Sequence, residues 1–332
     1  MLSTRLSLAL EDGGIVLPDD GKIAVFSPEV HADLSLLRKD RIEIISRHFP
    51  VFSNFQSNGY TVEVAPKGPY ALSILCLPRA KAEARAAVAE ALRLTTGLVL
   101  VDGQKTDGVE SMLKTLRKRG EVGHVTVKAH GKLFSLQNAE CSDWAARPGE
   151  IARADGGTFQ TAPGVFSADG IDPGSRALVE ALPDTLSGHV IDLGAGWGYL
   201  SDALLRQPKI KTLDLIEADF AALDAARANI TDPRANFHWA DALTFTTDSP
   251  VDHVITNPPF HTGRKADPSL GQGFIQAAAR LLKPRGRLWL VANRHLPYER
   301  TLDDAFREVS TIAQTAGYKI TLAAQPRSPR KG

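Results

Sequence analysis

Along the second half of the chain, short apolar runs alternate with stretches whose apolar residues recur at helical spacing. The runs "HVIDLG" (189–194), "TLDLIEA" (212–218), "NFHWAD" (236–241), "VDHVIT" (251–256) and "GRLWLVAN" (286–293) read as strands. Helices are predicted over 197–206, 219–230, 268–282 and 298–306, the second opened by Asp219 as N-cap. A further helix precedes the first strand, with Asp172 as N-cap and Pro173 at its first position. The tail, "VSTIAQT", a turn at Ala316-Gly317, then "YKITLAA", predicts a hairpin that adds an antiparallel edge strand. Strands alternating with helices imply an α/β fold with a doubly wound, mostly parallel sheet.

The first half alternates less regularly. Strands are expected at "KIAVFS", "IEIIS", "TVEVA", "ALSILCL", "GLVLVDG" and "HVTVKA", and helices over 80–94 and 108–119. Its later elements follow the order of the later elements of the second half, and both halves end in a hairpin. That parallel suggests a degenerate internal duplication. The segment between them, "NAECSDWAARPGEIARADGG" (138–157), is polar, rich in small residues, and reads as a linker.

Composition narrows the classes. A chain of 332 residues calls for two domains. Its 39 Lys+Arg and 38 Asp+Glu give a net charge of +1, so a polyanionic partner must be held by local basic patches. Candidates are "KTLRKRG" (114–120), Arg264-Lys265, Arg294 and the terminal "RSPRKG". Two isolated cysteines, Cys76 and Cys141, supply neither a disulfide framework nor metal-ligand spacing. A reducing, cytoplasmic location is expected, with no signal peptide, no membrane span and no metal.

The chemistry collects at predicted strand tips. "DLGAGWG" (192–198) is a glycine-rich turn between strand and helix, spaced G-x-G-x-G rather than as a dinucleotide fingerprint. Alone it is weak, since such turns are often structural. Glu217 closes the second strand, where an acid can take both hydroxyls of a ribose. Asp241 closes the third, suited to the edge of an adenine. The fourth strand runs into Asn257-Pro258-Pro259-Phe260. Consecutive prolines forbid helix and fix an extended backbone. The Asn257 side-chain oxygen and the Pro258 carbonyl then offer two acceptors, enough to hold both hydrogens of an exocyclic amine. Phe260 can stack on a flat base.

Together, "DLGAGWG", "IEAD", "WADAL" and "NPPF" resemble the ordered motifs of class I S-adenosylmethionine-dependent methyltransferases that modify amino groups. With "GVFSADGIDPGSRALVEAL", "NPPFHTG" and "LWLVANRHLPYERTLDDAF", the chain resembles the RsmC-type small-subunit ribosomal RNA guanine-N2 methyltransferases. The resemblance implies a Rossmann-like methyltransferase domain and S-adenosylmethionine as cofactor. It implies 16S ribosomal RNA, or the small subunit, as partner. In that reading Asp192, Gly194, Ala195, Gly196 and Gly198 line the methionine end of the cofactor. Glu217 and Ala218 take the ribose, Asp241 and Ala242 the adenine. Asn257, Pro258, Pro259 and Phe260 form the catalytic motif, and Phe166 and Asp169 close over the methionine moiety. Trp197 departs from the small residue usual in the glycine loop.

The implied organisation is a degenerate methyltransferase-like domain without a cofactor site (1–137), a linker (138–157), a catalytic domain (158–326) and a basic tail (327–332). A monomer is expected. Two other readings stay open from sequence: an amino-methyltransferase acting on DNA adenine or protein glutamine, and a non-catalytic RNA-binding assembly factor.

Overall fold

The computed structural model describes residues 2–259 and 268–327. The chain divides into two compact units, Met1–Pro148 and Gly149–Gly332.

In the first unit, α1 (Leu2–Glu11) precedes β1 (Ile23–Phe26), β2 (Ile42–Ile45), α2 (Phe49–Ser57), β3 (Thr61–Glu63) and β4 (Tyr70–Cys76). Then follow α3 (Lys81–Leu94), β5 (Thr95–Gln104), α4 (Val109–Leu116), β6 (Glu121–Lys128) and β7 (Gly131–Gln137). The sheet order is β3-β2-β1-β4-β5-β7-β6. Cys141 and Trp144, within the segment 138–157, are buried in this unit's core.

The second unit opens with a small antiparallel hairpin, β8 (Gly149–Ala152) and β9 (Thr158–Thr161). Next come α5 (Pro173–Ala181), β10 (Gly188–Leu193), α6 (Tyr199–Leu205), β11 (Ile210–Glu217), α7 (Phe220–Asn229), β12 (Ala235–Trp239) and β13 (Val251–Thr256). The chain ends with α8 (Pro268–Leu281), β14 (Leu282–Asn293), α9 (Glu299–Ala305), β15 (Phe306–Gln314) and β16 (Tyr318–Pro326). The sheet order β12-β11-β10-β13-β14-β16-β15 repeats that of the first unit strand for strand.

Both faces of the second sheet are covered, which is why its strands read as continuous apolar runs. Ile191, Leu193, Val254 and Leu288 pack in one core with Phe274 and Ile275 of α8. Val190, Leu213, Leu215 and Ile255 pack in another with Leu178 of α5 and Leu200 and Leu204 of α6. Each such buried aliphatic side chain contributes roughly 1.5–3 kcal/mol. These layers hold β10, β11 and β13 parallel and in register, so their C-terminal tips share one edge.

The structure departs from the sequence reading at the start of α6 and in elements the sequence did not announce. Helix α6 begins at Tyr199 because Gly198 is left-handed at φ +93°, which extends the turn by two residues. The closing hairpin adds an antiparallel edge strand as expected: β16 pairs with β14, and β15 forms the edge. Helices α1 and α2 and the β8–β9 hairpin were not expected. Helix α1 is a short ten-residue run interrupted by Ser3, Thr4, Arg5 and Ser7, and α2 opens on Phe49-Pro50 and spans only nine residues.

Candidate active site

The glycine turn follows directly from β10. At Gly194, φ is +80°, and a Cβ would stand 3.0 Å from Phe274 Cε1. At Gly198, a Cβ would approach Ile230 to 2.8 Å. Only glycine tolerates both the left-handed backbone and that crowding. The turn is held from two sides. The amides of Gly194 and Ala195 donate to the Ile216 carbonyl at 2.9 and 3.0 Å. The Gly196 amide donates to Glu217 Oε2 at 2.8 Å.

Glu217 accepts a second backbone bond on Oε1, from Asp219 N at 2.8 Å. Burial pushes its carboxyl above the usual range, against the pull of those two donors. Each oxygen retains a further lone pair, so the pair can still accept from a vicinal diol.

Asp192 sits at the end of β10 and is fully buried. Ser201 Oγ donates to its Oδ2 at 2.6 Å, while Oδ1 has no partner. Burial, with a smaller contribution from the Glu217 charge, moves this carboxyl up to about 7. An unpartnered acceptor beneath a glycine turn favours a cationic or donor-rich ligand above it.

At the tip of β13, Thr256 Oγ1 donates to the Leu193 carbonyl at 2.7 Å and ties the two strand ends together. Asn257 follows, with its Nδ2 donating to Asp172 Oδ2 and Ser175 Oγ, both at 2.8 Å. Pro258 is buried and Pro259 exposed. Phe260 lies outside the described residues, as do His261, Arg264, Lys265 and the tail beyond Arg327.

One pocket is lined by Gly194, Ala195, Gly196, Phe166, Asp172 and Asn257, among others. Of its eleven wall residues the sequence singled out five as site residues, Phe166, Gly194, Ala195, Gly196 and Asn257. Asp192 and Gly198 lie beside this pocket rather than on its wall, and Glu217 reaches it through the Gly196 amide. Asp241 caps the next turn, accepting from Leu243 N at 2.9 Å, and Ala242 is buried in the core. Ala218 accepts from the Trp239 indole at 2.9 Å. Asp169 is exposed.

Trp197 turns away from solvent. Its indole N–H donates to the Phe166 carbonyl at 3.1 Å, and its ring packs 5.0 Å from that of Phe159 on β9. The unexpected hairpin is thus what accommodates the large residue in the glycine loop. Phe166 itself is 57% exposed at the pocket rim.

A glycine turn, a strand-tip acid and an Asn-Pro-Pro tip on one sheet edge match known proteins. The family model of the methyltransferase small domain matches residues 156–322. The ribosomal RNA small subunit methyltransferase C of Escherichia coli (strain K12 / DH10B) is 35% identical over 241 residues, 70% of this chain and 69% of that protein. The same-named protein of Hahella chejuensis is 33% identical over 244 residues, 70% of each chain. The chain belongs to the ribosomal RNA small subunit methyltransferase C family.

A solved member from T. thermophilus, a 16S rRNA N2 methyltransferase in complex with AdoMet and guanosine, superposes with a TM-score of 0.81 at 28% identity. That match covers 93% of this chain and 90% of the other, so both units share the family's architecture. The enzymes of this family depend on S-adenosylmethionine, and the site fits that cofactor: Glu217 has spare acceptors for a diol, and Asp192 Oδ1 is an unpaired acceptor for positive charge.

Proposed function

We propose that this chain transfers a methyl group from S-adenosylmethionine to the exocyclic N2 of a guanine in 16S ribosomal RNA. The observation that carries the proposal is Asn257, at the tip of β13 and on the wall of the glycine-loop pocket, with its amide nitrogen already committed to protein acceptors. No donor among the described residues takes its oxygen, and an exocyclic amine is a donor it can receive.

When bound, S-adenosylmethionine supplies an electrophilic methyl on a cationic sulfur. The chain supplies position and electrostatics. Glu217 takes the ribose hydroxyls, and Asp192 offers negative potential toward the positive end of the cofactor. Asn257 Oδ1 and the Pro258 carbonyl accept the two amine hydrogens. An aryl-type amine is a poor nucleophile because its lone pair is shared with the ring. Holding both hydrogens out of the ring plane favours a pyramidal nitrogen and turns the lone pair toward the methyl. Holding two reactants in line replaces much of the entropy otherwise lost in the collision. The proton leaves to water after transfer.

The finer reading is that residues 158–326 form the catalytic domain, that residues 1–137 present RNA, and that the protein acts as a cytoplasmic monomer. Its support is that no glycine turn follows β1 in the first unit, and that Leu77-Pro78-Arg79 follow β4 where Asn257-Pro258-Pro259 follow β13. In addition, no helix among the described residues is long and apolar enough to cross a membrane.

The test is transfer of labelled methyl to deproteinised ribosomal RNA, small subunits, duplex DNA and a protein extract, with Asn257→Ala as control. Label recovered as N2-methylguanine, and reduced by roughly 100-fold or more in the variant, is the expected result. Label confined to DNA or protein would overturn the substrate.

A further inference from the structure

We infer that Asp172 and Ser175 are positioning residues for the Asn257 amide, Asp172 setting which way it faces and Ser175 holding it there, and so decide whether the site can grip an amine at all. The inference rests on the reading of Asn257 as the amine holder.

An asparagine amide has a donor end and an acceptor end of nearly the same shape, and only its neighbours decide the orientation. At the β13 tip the neighbours decide it firmly. Asp172 Oδ2 and Ser175 Oγ both lie 2.8 Å from Nδ2. A carboxylate oxygen has no hydrogen to give. The flipped amide would set its oxygen against that carboxylate oxygen at the same separation, a direct repulsion. The observed orientation commits the amide hydrogens to protein and leaves Oδ1 as the remaining acceptor. A flipped Asn257 would instead present two hydrogens to the hydrogens of the target amine and repel it.

The clamp is prepared before any substrate arrives. Asp172 is the N-cap of α5, and the same Oδ2 accepts from Ser175 N at 2.7 Å. The cap bond therefore fixes the carboxylate, and the first turn of α5 fixes the Ser175 hydroxyl beside it. Ser175 is buried, which shields the clamp from water. Gly174 leaves the room: a Cβ there would stand 3.0 Å from Asp172 Oδ2 and 2.8 Å from Tyr318 Cε1. The turn that starts α5 is thereby tied to the tip of β13, 85 positions away in sequence. Its capping signal does two jobs at once, starting a helix and aiming an acceptor.

The experiment compares steady-state kinetics of Asp172→Ala, Asp172→Asn and Ser175→Ala with wild type, using ribosomal RNA or subunits, and with Asn257→Ala as the control on the underlying reading. Ser175→Ala keeps the cap, because the cap uses the backbone N–H. Asp172→Asn keeps an acceptor for both bonds. The expected result is a kcat about 10-fold lower for Ser175→Ala, one lost hydrogen bond's worth. Asp172→Ala should fall roughly 100-fold, as for a misaligned reacting group. Asp172→Asn should restore most of that loss, and in each variant kcat should fall by more than the KM for S-adenosylmethionine rises, although both residues line the glycine-loop pocket. Wild-type kcat in both Ser175→Ala and Asp172→Ala, with Asn257→Ala inactive, would overturn the positioning role and leave the reading of Asn257 standing. Full activity in Asn257→Ala would overturn both. A rise in cofactor KM without a fall in kcat would overturn the positioning role by making the residues part of the cofactor site.

Discussion

The two units carry the same seven strands in the same order, yet their sheet edges differ in almost every chemical respect. After β10 the second unit has a glycine turn whose amides are tied to the Ile216 carbonyl and the Glu217 carboxylate. After β1 the first unit has Ser27-Pro28-Glu29, with no glycine. After β13 stands Asn257-Pro258-Pro259; after β4, at the same place in the sheet, stand Leu77-Pro78-Arg79. The first unit does keep a crevice there, a 210 Å³ cavity lined by Glu29, Cys76, Arg79 and Asp102, among others. Helix α1 sends Arg5 into that wall, where its guanidinium grips both oxygens of Asp102 at 2.5 and 2.7 Å. Among the described residues the second unit has no such plug, and Asp192 keeps an unpartnered oxygen instead. The lesson is that strand order makes the crevice, whereas the residues at its strand tips decide which groups line it: a paired Arg5–Asp102 in one unit, an unpartnered Asp192 oxygen beside it in the other.

The largest effect should come from removing the plug. Both Arg5 and Asp102 are buried. Arg5→Met would strand a buried carboxylate, and breaking one side of such a pair costs about 3–5 kcal/mol. Denaturant melts at pH 8 should show that loss, while the second unit's affinity for S-adenosylmethionine stays unchanged. A parallel loss of cofactor affinity would break the separation drawn between the two edges.

The free oxygen in the second unit should leave a pH signature. The Asp192 carboxyl lies at about 7 in the folded chain against an ordinary 3.8. A carboxyl raised in this way favours folding most below its unfolded pKa. That contribution is lost as pH rises through the folded value. Wild type should therefore lose stability relative to Asp192→Asn between about pH 4 and pH 7. Melts at pH 5 and pH 8 check this: the gap should favour the variant more at pH 8. A gap independent of pH would contradict it.

The smallest effect concerns the glycine loop's own departure. Trp197→Phe removes the indole bond to the Phe166 carbonyl but keeps most of the packing on Phe159. The expected cost is about 1 kcal/mol, read as a several-fold weaker cofactor affinity. No change would mean that the rim at Phe166 does not bear on the cofactor.

Much of this site was legible in the sequence because its parts are local. A glycine turn, an acid at a strand tip and a proline pair each announce themselves within a few residues, and apolar runs locate the strands that carry them. The contact between Asn257 and Asp172 was not legible. Asp172 could be read as a helix cap, which is a local signal, but its second hydrogen bond depends on α5 lying beside the tip of β13. Only packing brings those together. Helix α1 escaped for a related reason. Its stabilisation comes from Leu2, Leu6 and Ala9 settling into the first unit's core and from Arg5 finding Asp102. Nothing in its own ten residues predicts either. The place of β16 between β14 and β15 is likewise a matter of pairing, and a hairpin's sequence does not say which of its arms meets the sheet.

The central claim is that two sheets of one topology yield a single cofactor site. Calorimetric titration of S-adenosylmethionine into the full chain tests it most directly. The account predicts one equivalent bound, weakened about tenfold or more by Glu217→Ala and unaffected by Arg79→Ala. Two equivalents, or one equivalent indifferent to Glu217→Ala, would contradict it.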